Sequence, residues 1–267
     1  MRILHCLSIA ATALLLAGCA ANVSKPAPEA RSALAPSGTL RGAVLLNTAL
    51  QVSRTGASGE LQGVAIDLGR ELARRLGVGY TPVAYQSIEQ LMAGAKSAQW
   101  DIAFMAVDRS RDGVVDYVAP VMDVEMGYLV PESSTLLSIE SVDQPGNRIV
   151  VAGSGGTDLL LSRLTKNAQI VRASGVSGLV DALRTGKADA AAANKPTLYA
   201  DAEKLPGSRV LDGRITAAQY AIVTRKGQNA AAGAYLRQFV EEVKNDGLIK
   251  SAIAKAGLRG VGVAAGR

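Results

Sequence analysis

The chain has almost no histidine or cysteine. Its 267 residues contain one His and two Cys, and all three (His5, Cys6 and Cys19) lie in the first nineteen positions. That leading stretch reads as a bacterial secretion signal over residues 1–18. Arg2 supplies the positive start, Ile9 to Leu16 form the apolar run, and small residues precede Cys19. The run is too short to span a membrane as a helix. Removing it takes away Arg2, lowers the formal charge from +6 to +5, and leaves no histidine and a single cysteine. A disulfide within the mature chain is then impossible. So is a zinc site built on His or Cys, and so is Ser-His or Cys-His catalysis. No cofactor or metal is implied. Aromatic residues make up only 4% of the chain, so a pocket has little stacking surface to offer. The basic residues are scattered, with no run of five or six like charges, which argues against a nucleic-acid partner.

What the chain does have is apolar sequence, 48% of it, enough for one or two folded domains. The central stretch, Trp100 to Pro120, reads as a short buried strand, a polar turn and a second apolar run closed by Pro120. Trp100 to Val107 is nearly continuous apolar sequence, the pattern of a strand covered on both faces. It ends in Asp108-Arg109-Ser110-Arg111-Asp112-Gly113, and ligands of open parallel sheets bind at such carboxyl ends. Ahead of it come a strand at Leu40–Asn47 and an amphipathic helix from Gly63 to Leu76 stopped by Gly77. A strand at Tyr80–Tyr85 and a helix after Ser87 follow. Together these read β-α-β-α-β, a parallel sheet with helices on both faces.

The pattern recurs further on. Arg148–Ala152 and Gln169–Arg172 read as strands, Leu159–Thr165 and Ser177–Thr185 as helices, and Asp189–Ala193 as a strand of small residues ending at Asn194. Val124 to Pro131 reads as an extended segment leading away from the first half, and Gln219–Thr224 as a returning strand. Asn229 caps a long helix through Asn245. Two similar units facing one another create an interface that favours a small-molecule pocket. The glycine-rich turn Gly153 to Asp158 either cradles an anion with its N–H groups or is a tight turn with Thr157 as helix cap. Asp67, Asp101, Asp116 and Asp189 read as strand-end and capping residues rather than a carboxylate set. Residues 19–37, rich in Ala, Pro and Ser, read as a flexible tether.

Several segments together resemble the periplasmic solute-binding proteins of ABC importers, in the family that includes amino-acid receptors. They are Ser37 to Arg41, Gly59 to Leu68 (GELQGVAIDL), Arg111 to Pro120 with Asp116 and Tyr117 in place, and Ala182 to Ala190 (ALRTGKADA). Leu16-Ala17-Gly18-Cys19 likewise resembles the lipobox of bacterial lipoproteins, with Cys19 acylated; the alternative is ordinary cleavage nearby, for example after Ala20. The resemblance implies an α/β, two-lobed periplasmic-binding-protein fold of type II. Each lobe is a mainly parallel sheet flanked by helices, and two crossings join the lobes. Lobe 1 covers 38–128 and 220–260, lobe 2 covers 129–219, and 261–267 is a tail. The hinge falls near Leu129-Val130 and Gln219-Tyr220.

The resemblance places Arg111 where a ligand carboxylate is bound, a task suited to a planar, always-charged guanidinium. Met105, Asp108, Ser154, Gly155, Thr157, Asn194 and Gln219 complete the expected ligand-binding set. Two of these depart from the family. Asp108 stands where threonine is usual, and either pairs with a neighbouring arginine or receives a cationic ligand group. Asn194 stands where amino-acid receptors often carry an aspartate, and brings no charge. The aromatic pair usual in the first loop is missing from Asn47 to Ser53. The expected activity is non-enzymatic binding of a small polar, amino-acid-like ligand by a monomer. Its partner is an ABC permease or a membrane receptor, with a lipid anchor in the cell envelope. The alternatives are a cyclohexadienyl dehydratase-like periplasmic enzyme, for which Asp108 is the one nominated carboxylate, and a ligand-sensing envelope lipoprotein.

Overall fold

Both halves of the chain place three parallel strands edge to edge with helices between them. The computed structural model describes residues 28–46, 53–55, 59–153, 156–175 and 177–265. The first half contains α1 (Pro28–Leu34), β1 (Thr39–Leu45), the small hairpin β2 (Ser53–Thr55) and β3 (Glu60–Gln62), and α2 (Val64–Leu76). It continues with β4 (Gly79–Tyr85), α3 (Ile88–Lys96), β5 (Ile102–Ala106) and the long β6 (Val115–Val130). The second half contains β7 (Arg148–Ala152), α4 (Gly156–Leu164), β8 (Gln169–Ala173), α5 (Ser177–Arg184), β9 (Ala190–Asn194), α6 (Lys195–Ala202) and β10 (Arg209–Val210). The chain then returns through β11 (Thr216–Arg225), α7 (Ala230–Asn245), α8 (Leu248–Lys255) and β12 (Val261–Val263). The main sheet runs β4-β1-β5-β11-β6-β9-β7-β8, with β10 and β12 also on β6.

The helices start and stop where local chemistry allows it. Ser87 accepts a hydrogen bond from the Gln90 amide and Asn229 one from the Ala231 amide, each satisfying a donor orphaned at a helix start. Gly77 closes α2 in the left-handed conformation (φ 66°), which costs a glycine nothing. The helices bury one stripe each. In the first lobe α1, α2, α7 and α8 cover one face of the sheet, and Leu91 and Ala95 of α3 pack with Trp100 and Met105 on the other. In the second lobe Leu161 of α4 lies in one cluster, and Leu179 and Leu183 of α5 with Leu198 of α6 lie in another.

The two halves echo each other in their anchoring. Asp101, just before β5, accepts from the Arg41 amide (2.9 Å), its Nε (3.0 Å) and its Nη2 (2.6 Å). Asp189, just before β9, accepts the same three bonds from Arg148 at 2.8, 3.0 and 2.8 Å. In each lobe the aspartate thereby clamps the third strand to the first. Asp116 and Asp67 are likewise structural, bound to Lys226 with Gly227 and to Lys255.

Four features differ from the sequence reading. Pro28–Leu34, inside the expected tether, is a helix whose Ala30 and Leu34 are buried against α7 and its neighbours; burial of an apolar stripe, not intrinsic propensity, makes so short a helix stable. Pro120 does not end a strand. It lies within the sixteen-residue β6, opposite Ala221 and next to Val121, an extra β6 residue passed over between the Tyr220–Met122 and Ala221–Pro120 pairs, and a bulge is where a residue without an N–H fits a ladder. Leu129 and Val130 are fully buried in the second lobe. The core passes from one lobe to the other between Met122 and Tyr128. Finally, Val261–Val263, the start of the expected tail, pairs with Val124–Met122 of β6.

Candidate functional site

Strand directions determine where a ligand can sit. β5 is antiparallel to β11 and β11 is antiparallel to β6, so β5 runs with β6, whereas β9 runs against it. The carboxyl ends of β5 and β9 therefore point toward each other along the crossing. Ala106 of β5 is level, through Tyr220, with Met122 of β6, and Asn194 of β9 pairs with Met126. Four residues of β6 separate those levels, roughly 13 Å at the usual rise of a strand. That gap suits a small molecule.

The first-lobe wall is the segment after β5. Asp108 caps a 3-10 turn at Arg109–Arg111, with its Oδ1 accepting from the Ser110 amide (3.0 Å) and hydroxyl (2.7 Å). Its Oδ2 lies 3.2 Å from Arg111 Nη2, and Arg111 Nη1 lies 3.5 Å from the Ala106 carbonyl. The Asp108 amide donates to the Tyr117 hydroxyl at 3.1 Å, and the Val107 amide donates to the Gln219 carbonyl at 2.8 Å. The Ser110 hydroxyl, then its amide, then the Arg111 charge hold the Asp108 carboxyl below the usual range. Glu89, at the start of α3, is lowered chiefly by the Ser87 hydroxyl and its own amide, with Arg111 adding to the effect. Burial raises the Tyr220 hydroxyl, against the opposing field of Arg111. One guanidinium thus serves a carboxylate it touches and a second within its field.

On the second-lobe wall, Asn194 caps α6 by accepting from the Thr197 amide at 3.0 Å. Thr157 lies in the first turn of α4, half-buried. Ser154 and Gly155 lie outside the described residues, as do residues 47–52 and Cys19. Met105 is 2% exposed and packs with Trp100 and Val223 in the core beneath the site. Gln219 lines a cavity of about 540 Å³ with Val107, Arg109, Tyr117, Arg237 and Glu241, beside the Asp108 turn. A larger cavity of about 780 Å³ includes Glu132, Asn147, Arg184 and Asp189. It sits at the amino ends of the second-lobe strands, away from the expected site. Glu89 and Tyr117 were not singled out as site residues from sequence; the faint signal for Tyr117 is its place in the Arg111–Pro120 motif.

Comparison with known proteins agrees with this layout. The profile of the bacterial extracellular solute-binding proteins, family 3, matches residues 46–256. The chain belongs to that family. None of the curated proteins matches its sequence. Among solved structures, an amino acid ABC transporter substrate-binding protein from Streptococcus pneumoniae bound to L-arginine is similar at TM-score 0.65. It shares 20% identity, over 84% of this chain and 97% of that one. A binding component assigned to an ABC transporter of Wolinella succinogenes, complexed with lysine, is similar at TM-score 0.66 and 24% identity, over 82% and 95%. An ancestral amino acid-binding protein, a precursor of cyclohexadienyl dehydratase, is similar at TM-score 0.65 and 21% identity, over 84% and 98%. At these identities the likeness is one of fold, the expected two-lobed α/β architecture. In this family 3 solute-binding protein, Arg111 on the turn after β5 pairs with Asp108 of the same turn.

Proposed function

We propose that this family 3 protein is the non-enzymatic receptor of an ABC importer, closing two lobes on a small polar, amino-acid-like ligand. The observation that carries the reading is the opposed carboxyl ends of β5 and β9, aimed at one another across four residues of β6. Hinge bending about such a crossing brings the Asp108–Arg111 turn and Asn194 onto a ligand between them. Arg111, Asp108, Thr157, Asn194 and Gln219 are the contacts we assign, with Ser154 and Gly155 from the glycine-rich turn. The monomer, released to the envelope by its signal, is held to the membrane by an acylated Cys19 and hands its ligand to a permease.

A thermal-shift and calorimetry panel of amino acids, polyamines and organic acids tests this. A ligand is expected to raise the unfolding temperature and compact the molecule in X-ray scattering, and Arg111→Ala is expected to weaken binding. If no compound stabilises the protein, or if Arg111→Ala leaves affinity unchanged, the site is wrongly assigned. The dehydratase reading draws on the ancestral precursor among the similar structures. It needs Asp108 as a general acid, and the downward shift of that carboxyl weighs against it. Prephenate turnover would reverse that judgement. Co-purification with a permease distinguishes transport from sensing.

A further inference from the structure

We infer that residues 259–264 form a third crossing between the lobes, a strap that sets the angle at which the two walls of the site face each other. The inference needs no ligand and goes beyond the receptor reading. α8 belongs to the first lobe, where Ile249, Ala252 and Ile253 lie in the core. From its end the chain runs onto one edge of β6. Met126 pairs with both β11 and β9, and Val124 with both β11 and β12. β12 and β9 therefore share the edge of β6 opposite β11, end to end and in the same direction. β12 covers Met122–Val124 and β9 covers Met126–Leu129. Together they span the residues where the core passes from one lobe to the other.

Side chains close the seam between these two strands. Gly260 lies at the level between them, its carbonyl accepting from the Glu125 amide at 2.8 Å. Lys195, the residue after Asn194, is buried and places Nζ 2.8 Å from Glu125 Oε2. Arg214 Nη1 lies 3.6 Å from Glu125 Oε1. Gly260 has φ +72°, and a Cβ there would fall 2.5 Å from Lys195 Cβ, so backbone and space both call for glycine. Beside it, the Arg259 guanidinium lies over the Tyr199 ring of α6, 3.6 Å from the centroid, well inside the range of a cation–π contact. α6 is second-lobe structure, with Leu198 in that lobe's core. The segment is thus tied to the first lobe through α8 and to the second through Tyr199 and Lys195. Bending between Met122 and Tyr128 moves Arg259 off the Tyr199 ring, so the contact favours one lobe angle. Because Lys195 directly follows Asn194, the same packing fixes where Asn194 stands relative to the first-lobe wall.

Double electron–electron resonance on the full-length chain, without added ligand, tests this. Cys6 and Cys19 are replaced by Ser, and spin labels are attached through Lys96→Cys and Lys187→Cys, exposed positions at the end of α3 and after α5. One narrow distance between the lobes is expected while Arg259 and Tyr199 are both present. Arg259→Ala and Tyr199→Leu are each expected to broaden that distance or to add a second one, and the double variant to do no more than either. Arg259→Lys keeps the cation over the ring and is expected to keep the distance narrow. The unfolding transition read by Trp100 fluorescence is expected to stay in place throughout. A broad distribution in the parent, or an unchanged one in both Arg259→Ala and Tyr199→Leu, overturns the strap. So does broadening that comes with a lowered Trp100 transition, since the segment would then only support the first-lobe fold. None of these results bears on the receptor reading, which the ligand panel tests separately.

Discussion

The paired clamps of the two lobes differ in burial, and that difference has a measurable consequence. The Asp101 side chain is fully buried and Arg41 is 29% exposed, whereas Asp189 and Arg148 are 35% and 38% exposed. Asp101→Asn keeps an acceptor for the Arg41 amide but sets an N–H₂ group against the guanidinium and removes its counter-charge. Breaking a buried pair costs about 3–5 kcal/mol. Because water can reach part of Arg41, the lower end, about 3 kcal/mol, is expected. At roughly 2–4 °C per kcal/mol for a chain of this size, the unfolding temperature falls by roughly 6–12 °C. Asp189→Asn disturbs the same three bonds in a wetter place, where water screens the charges, and the expected fall is less than half as large. The chain contains one tryptophan, Trp100, fully buried in the first lobe with Nε1 donating to the Leu91 carbonyl at 2.9 Å. Its fluorescence reports that lobe, while circular dichroism reports both. Asp101→Asn is expected to shift the fluorescence transition, and Asp189→Asn to shift circular dichroism more than fluorescence. Equal falls for the two variants, or a larger one for Asp189→Asn, would refute burial as the deciding term.

Two further predictions concern the first lobe. Leu34→Ala in α1 removes a side chain with no exposure, and is expected to cost about 2–5 kcal/mol in urea unfolding; a change within about 0.5 kcal/mol would mean α1 is not part of the core. Glu71 is held down to about 2, first by its hydrogen bond from Arg74 and then by that from Arg75. Its folded value lies below the unfolded one, so its stabilisation is complete above about pH 4.5 and is lost as pH falls toward 2. The urea midpoint should drop across that window, and Glu71→Gln should flatten part of the drop.

Periodicity and caps made much of the fold legible. The Leu spacing of α2 with Gly77 behind it, Ser87 ahead of α3, and Asn229 ahead of α7 all match the structure. The segments that escaped are those whose stability comes from distant partners. α1 is seven residues of mixed sequence held by α7, and β12 is three residues held by β6. α6 carried a readable signal, Asn194 followed by Pro196, but its eight residues show no apolar stripe, and that hid it. Pro120 was read as a stop because the strand it pairs with, β11, lies about a hundred residues away, and only that pairing reveals the extra β6 residue, Val121, that lets it fit. At the site, the turn after β5 was readable, and a pairing of Asp108 with Arg111 or Arg109 was one of two options. A spacing of three permits such a pair without requiring it. The parts contributed by Glu89, on α3, and Tyr117, on β6, come from other elements, and only the tertiary fold brings them near.

The docked α1 also sets the length of the leash. Nine residues take the chain from Cys19 to Pro28, the first residue of α1, and a fully extended chain of that length reaches at most roughly 30 Å. With Cys19 acylated as proposed, the receptor cannot drift farther than about its own width from the lipid surface. Its meeting with a membrane partner then becomes a search in two dimensions. The local concentration of one for the other is set by how many copies share a patch of membrane, and hardly at all by the volume of the surrounding compartment.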